Sequence, residues 1–189
     1  MNRMRTGAIR TLALVLCLSS APAGAADQIL TPYGLGPVKI GMTQRQAEKA
    51  LGARLKHAFK PDRIREKVCW YAIRADRIDQ MVYYVIWDGK IASIEVTDSE
   101  PGGLKRFVPR IVTDKGIHIG DTDAKVKEAY GPDVKVRVES QADNEDEGSV
   151  ITALTADKSR GFVFVTGSRK IVNFRAGLPD AIQLMEGCL

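Results

Sequence analysis

Two stretches of this 189-residue chain match each other without a gap. Pro37-Val-Lys-Ile-Gly-Met-Thr-Gln-Arg-Gln-Ala-Glu-Lys-Ala-Leu-Gly52 aligns with Gly116-Ile-His-Ile-Gly-Asp-Thr-Asp-Ala-Lys-Val-Lys-Glu-Ala-Tyr-Gly131 at an offset of 79. Ile40/Ile119, Gly41/Gly120, Thr43/Thr122, Ala50/Ala129 and Gly52/Gly131 are identical. An internal match of this kind points to one unit used twice. The physical roles pair as well. Thr43 and Thr122 suit helix N-caps, whose hydroxyls accept from first-turn N–H groups. Gln46 can complete a capping box with Thr43, whereas Lys125 cannot do so for Thr122. Ala47, Ala50 and Leu51 form an apolar stripe matched by Val126, Ala129 and Tyr130. Gly52 and Gly131 stand where a left-handed residue ends a helix, and Pro132 bars continuation.

The chain beyond each helix reads as strands. Met81 to Trp87, then Asp88-Gly89, then Lys90 to Thr97 is a hairpin signal, because Asp-Gly supplies the positive-φ pair of a type I′ turn. The later counterpart is Phe162 to Thr166, a turn at Gly167-Ser168, and Arg169 to Arg175. Val68 to Arg74 and Val150 to Thr155 supply an earlier strand on each side. The expected fold class is α+β: two tandem repeats, each a capped helix followed by an antiparallel β-meander, sheets side by side with helices on one face. The units fall at about 34–100 and 113–178, Pro101-Gly102-Gly103 opens the linker, and the segments divide as 26–102 and 103–189.

Residues 1–25 have the parts of an export signal. Arg3, Arg5 and Arg10 precede the apolar run Thr11–Ser20, which is too short to span a bilayer needing roughly 20 residues. Ala23-Gly24-Ala25 fits the cleavage pattern. Cys17 follows Leu16, where a lipidated cysteine wants a small residue. The protein is therefore expected in the periplasm or secreted, with no stable membrane insertion after processing. Without Arg3, Arg5 and Arg10 the 28 basic residues fall to 25 against 23 acidic ones, and no basic stripe with interleaved aromatics is present. Nucleic acid is accordingly excluded as a partner. Cys69 and Cys188 remain, and in an oxidising compartment an even pair reads as a disulfide. The alternative is that Cys188, next to the terminus, pairs with another chain.

The repeat with Gly41-Met42-Thr43 and Gly52, and Gly120-Asp121-Thr122 and Gly131, resembles the β-lactamase-inhibitory-protein-like fold. The small outer-membrane assembly lipoproteins have a similar unit. The resemblance implies two units side by side, one long curved sheet, and helices on the convex side. The chain departs from the inhibitors in lacking a disulfide inside each repeat. It departs from the assembly lipoproteins in having neither a lipidated cysteine nor a single unit.

Hairpin geometry then assigns faces. A two-residue turn sets Val85 opposite Ala92, Tyr83 opposite Ile94 and Met81 opposite Val96, an apolar face suited to pack under the helices. Val163, Val165, Val172 and Phe174 are the later equivalents. The other face would carry Trp70, Arg74, Tyr84, Glu95, Phe164, Asn173 and Arg175, the candidate protein-binding residues, because Trp, Tyr and Arg dominate interface hot spots. The connections after the helices carry opposite charge, basic over 54–67 and acidic over 133–148. Asp143-Asn-Glu-Asp-Glu-Gly148 has calcium-loop oxygens at its start but Leu154 where a bidentate Glu is needed. His57 and His118 have no nucleophile in a recognisable setting, and no metal-ligand spacing or catalytic motif occurs. The sequence thus predicts no catalytic residue, no metal and no cofactor. It describes an exported, non-catalytic protein that binds an unidentified protein of the envelope or medium. Inhibition of an envelope or extracellular hydrolase is one form of that role. An envelope-assembly or structural accessory role is the alternative, and an enzyme or small-ligand binder stands third.

Overall fold

The computed structural model describes residues 28–59, 69–76, 81–98, 111–132, 134–139, 148–184 and 188. The export signal, the linker at 101–103, residues 60–67 of the basic connection and the acidic run 143–147 lie outside the described residues. In chain order the elements are β1 (Gln28–Thr31), β2 (Gly34–Leu35), β3 (Val38–Lys39), α1 (Gln44–Leu51), β4 (Leu55–His57), β5 (Cys69–Arg74), β6 (Val82–Trp87) and β7 (Lys90–Thr97). Then come β8 (Ile111–Thr113), α2 (Asp123–Tyr130), β9 (Lys135–Glu139), β10 (Gly148–Leu154), β11 (Gly161–Gly167), β12 (Lys170–Gly177) and α3 (Pro179–Ile182).

The expected α+β class of two tandem repeats, each a capped helix followed by a meander, is corrected by this arrangement. The described chain is mostly β, with two sheets and three short helices. One sheet runs β3-β2-β1-β8 and the other β4-β5-β6-β7-β12-β11-β10-β9. The stretches read as lead-ins are strands of the smaller sheet. There β1 pairs in parallel with β8, so the segments ahead of both helices belong to one sheet rather than to separate units. Nor do all helices share a face, because α3 lies on the side opposite α1 and α2. The physical reason for the miss is length. Strands of two to four residues, each with one large buried apolar side chain (Leu30, Leu35, Val38 or Ile111), leave no period for alternation to reveal. β4 and β9 likewise fall inside stretches whose charge suggested loops.

Between the two sheets lies the core. Leu30, Leu35, Val38 and Ile111 of the small sheet, Ala47 of α1 and Val126 of α2 pack on Tyr84, Ile86, Ile94, Val96, Ile151, Phe162, Phe164 and Phe174 of the large one. α1 and α2 are about two turns each, too short to be stable alone, so docking has to hold them. Gly41 shows how. Its N–H donates to the Ile91 carbonyl and the Ile91 N–H donates back to Met42, a clasp that requires Gly41 at φ 92°. Gly120, Asp121 and Ile171 form the same clasp. Thr43 caps α1 with a complete capping box, and Thr122 caps α2 without one. Gly52 ends α1 in the left-handed region, whereas Gly131 has ψ −172° and does not close α2 in that way.

The hairpins turn at Asp88-Gly89 and at Ser168-Arg169, all four residues at positive φ. The second turn is one residue later than Gly167-Ser168, because Gly167 still pairs with Lys170. Both hairpins then carry a bulge. Ile86 faces Ile91 but Val85 faces Ser93, so Ala92 is extra, and Val172 is extra in the same way between Thr166↔Ile171 and Val165↔Asn173. The bulged carbonyls are used across the seam where β7 meets β12: Leu178 N–H donates to Ala92 and Asp98 N–H donates to Val172.

Candidate functional site

One extra residue in a strand moves every later side chain to the opposite face. Beyond its bulge β7 therefore presents Ile94 and Val96 to the core, opposite Tyr84 and Val82. The candidate residues divide accordingly. Tyr84 is 3% exposed and Phe164 is fully buried, both inside the core between the sheets. Trp70 is half-buried against that core and stacks on His57, ring centroids 4.0 Å apart. Arg74 lies at the core's margin, held by Asp76 through Nε and Nη2 at 3.0 and 2.8 Å. With Tyr84, Ile29, Pro37 and Leu51 it lines a cavity of about 180 Å³. These four residues do not form a projecting surface. Tyr83, expected in the core, lies on the other face instead, paired with Glu95. Val163 and Val165 stand on that outer face too, whereas Phe174 is in the core as expected.

Glu95, Asn173 and Arg175 do come together, on the outer face at the seam. Register places Tyr83, Glu95, Arg175 and Val163 in one row across β6, β7, β12 and β11. Tyr71, Val85, Ser93 and Gly177 form the next row. Asn173 donates through Nδ2 to Glu95 Oε1, and Arg175 donates through Nη1 to the Leu184 carbonyl at 2.6 Å. What remains is unusual. Ser93 Oγ, Glu95 Oε2, Asn173 Oδ1 and Arg175 Nε are all buried without a hydrogen-bond partner among the described residues. Ser93 is fully buried and Arg175 is 6% exposed. Each orphaned polar atom costs about 1–3 kcal/mol.

Aromatic rings flank this cluster. Phe59, Tyr71 and Tyr83 meet at centroid separations of 5.5 to 5.8 Å, and Phe59 is 40% exposed. Burial pushes the Tyr71 phenol up to about 12. The charge of Glu95 and its hydrogen bond add to that rise, and Arg175 opposes it. The residue pattern alone does not single out Tyr71 or Tyr83 for this face, although it does place Ser93 there. Their signal is the polar alternation Ser93, Glu95, Thr97 beside Asn173, Arg175, which marks the outer face correctly once the bulge is known.

No protein family, curated protein or solved structure matches the chain. The outer face must therefore be read from its own chemistry. A second cavity, of about 260 Å³, lies beside α2, where the Tyr130 hydroxyl donates to Asp114 Oδ1 and Lys115 stands over the Tyr130 ring. Among the described residues no group of three His, Cys, Asp or Glu is placed to hold a metal ion. Cys69 and Cys188 are bonded, which joins the C-terminus to β5.

Proposed function

We propose that this chain is an exported, non-catalytic protein that binds another protein through the outer face of its eight-stranded sheet. The observation that supports the reading is the seam cluster of Ser93, Glu95, Asn173 and Arg175, with four orphaned polar atoms beside the Phe59, Tyr71 and Tyr83 rings. A fold retains unsatisfied buried groups where they serve something other than stability. Tyr and Arg around a desolvated centre are the composition of interface hot spots. The disulfide fits an oxidising compartment. Within this reading, inhibition of an envelope or extracellular hydrolase requires a tight one-to-one complex with a soluble enzyme.

Affinity capture from periplasmic and outer-membrane extract, read by mass spectrometry, tests the proposal. A partner retained by the unaltered chain should be weakened by about 2 kcal/mol in Tyr71→Ala. Equal capture by Tyr71→Ala and Tyr83→Ala, with both variants folded, would overturn it.

A further inference from the structure

A cavity opens at the last residue of each longer helix, Leu51 of α1 and Tyr130 of α2. Their polar groups are used differently. In the cavity beside α2 the Tyr130 hydroxyl donates to Asp114 Oδ1 at 3.2 Å, and Lys115 Nζ donates to the Ala129 carbonyl at 2.9 Å. Those groups are satisfied within the chain. On its sheet wall Ala153 of β10 lies beside Phe162 of β11 and brings no side-chain donor.

The cavity beside α1, of about 180 Å³, is the opposite case. Leu35, Leu51 and Val82 give it apolar walls, and Ile29, 54% exposed, stands at its mouth. Two donors reach it from the sheet, Arg74 of β5 and Tyr84 of β6. Asp76 takes Arg74 Nε and Nη2, at 3.0 and 2.8 Å, which fixes the guanidinium and leaves Nη1 over. Among the described residues nothing accepts a hydrogen bond from Nη1 or from the Tyr84 hydroxyl. Tyr84 is buried all the same, and its phenol stands near both charges of the pair. Burial pushes its pKa up, Arg74 opposes that rise and Asp76 adds to it. A buried hydroxyl without an acceptor is costly, so a ligand that supplies one is favoured there.

We propose that this cavity binds a small, neutral, apolar molecule carrying one carbonyl oxygen, held by Arg74 Nη1 and the Tyr84 hydroxyl. The site is separate from the outer face and stands whether or not that face binds a protein. Size sets the first limit. An apolar cavity of about 150 Å³ admits benzene, so a single substituted ring or a branched chain of like bulk fits here. Chemistry sets the second. A carbonyl oxygen has two lone pairs and takes both donors. A carboxylate is disfavoured, because Asp76 already neutralises the guanidinium and an anion would lose its water to apolar walls beside a second carboxylate. A hydrocarbon fills the walls but leaves both donors unpaired.

Three probes of nearly one shape separate these cases: acetophenone, its hydrocarbon counterpart α-methylstyrene, and benzoate. Each is titrated into the unaltered chain at millimolar concentration. Methyl NMR shifts of Leu35, Leu51 and Val82 locate the site, with Val163 on the other face of the sheet as the control. Acetophenone should bind about tenfold more tightly than either of the other two. Tyr84→Phe should weaken acetophenone about fivefold, the worth of one hydrogen bond, and leave α-methylstyrene unchanged. No shift at Leu51 and Val82 with any probe would overturn the site. Equal binding of acetophenone and α-methylstyrene would overturn the carbonyl anchor, and tighter binding of benzoate would overturn the neutral class. Should Tyr84→Phe fail to fold, the order of the three probes on the unaltered chain decides alone.

Discussion

The outer face of the large sheet is finished differently on its two sides. Over β10 and β11 it is a small dry patch, with Val150, Val163 and the partly buried Val165 sealed by Ile182 of α3. Over β5 and β6 it carries Phe59, Tyr71 and Tyr83, rings with polar tips beside Glu95. The backbone is the same antiparallel ladder on both sides, so the difference lies in side chains. The first side has what stability asks for, apolar groups under an apolar lid. The second keeps a partly exposed Phe and a buried polar cluster that stability alone would replace.

The comparison breaks most sharply at the rings on either side of the sheet. Phe164→Ala, opening a cavity among Phe162, Phe174 and Tyr130, should lower unfolding free energy by about 3–5 kcal/mol in denaturant titration. Ile182→Ala, at the seal of the dry patch, should cost roughly 2–3 kcal/mol by the same measurement. If both changes are nearly neutral, the dry patch and the inner core are not what hold this sheet. Asn173→Ala is expected to be milder. It removes the donor to Glu95 Oε1 but also an orphaned acceptor, so a loss of only about 1 kcal/mol is expected in a thermal melt.

The last effect is one of pH, and it belongs to the aromatic side. Tyr71 has its phenol raised from 10 to about 12 in the folded chain. Above pH 10 the unfolded chain releases that proton while the folded chain keeps it, so stability falls as pH rises. The contribution is complete below pH 10 and lost on passing about 12. Tyr71→Phe should flatten this limb in melts taken between those values. An unchanged alkaline limb would place its origin elsewhere.

Much of the local structure is legible in the sequence. Thr43 and Thr122 cap their helices, Asp88-Gly89 turns the first hairpin, and Cys69 is bonded to Cys188, each because a short-range or compositional rule determines it. The outer face is half legible. Strand alternation places Glu95, Asn173 and Arg175 together, but it sends Tyr84 and Phe164 to the wrong side and Tyr83 to the core. Ala92 and Val172 are the cause. Their side chains give no sign of a bulge, because the bulge is stabilised by carbonyls that bind Leu178 and Asp98 across the seam. Long-range backbone hydrogen bonds leave no mark in a residue pattern. The small sheet is invisible for a similar reason, since β1 finds β8 far along the chain rather than a neighbour.

The seam itself sets an order of assembly. The β6–β7 and β11–β12 hairpins each close over a two-residue turn, on a timescale of about 1–10 μs. The β7–β12 pairing has to bring together groups as distant as Glu95 and Asn173, 78 positions apart. Loop-closure entropy makes such a non-local contact the slow one. Until it forms, each hairpin exposes a bare β7 or β12 edge, a ready template for another copy of the chain. The seam that gathers the polar cluster is therefore also the place where a nascent molecule is open to edge-to-edge association.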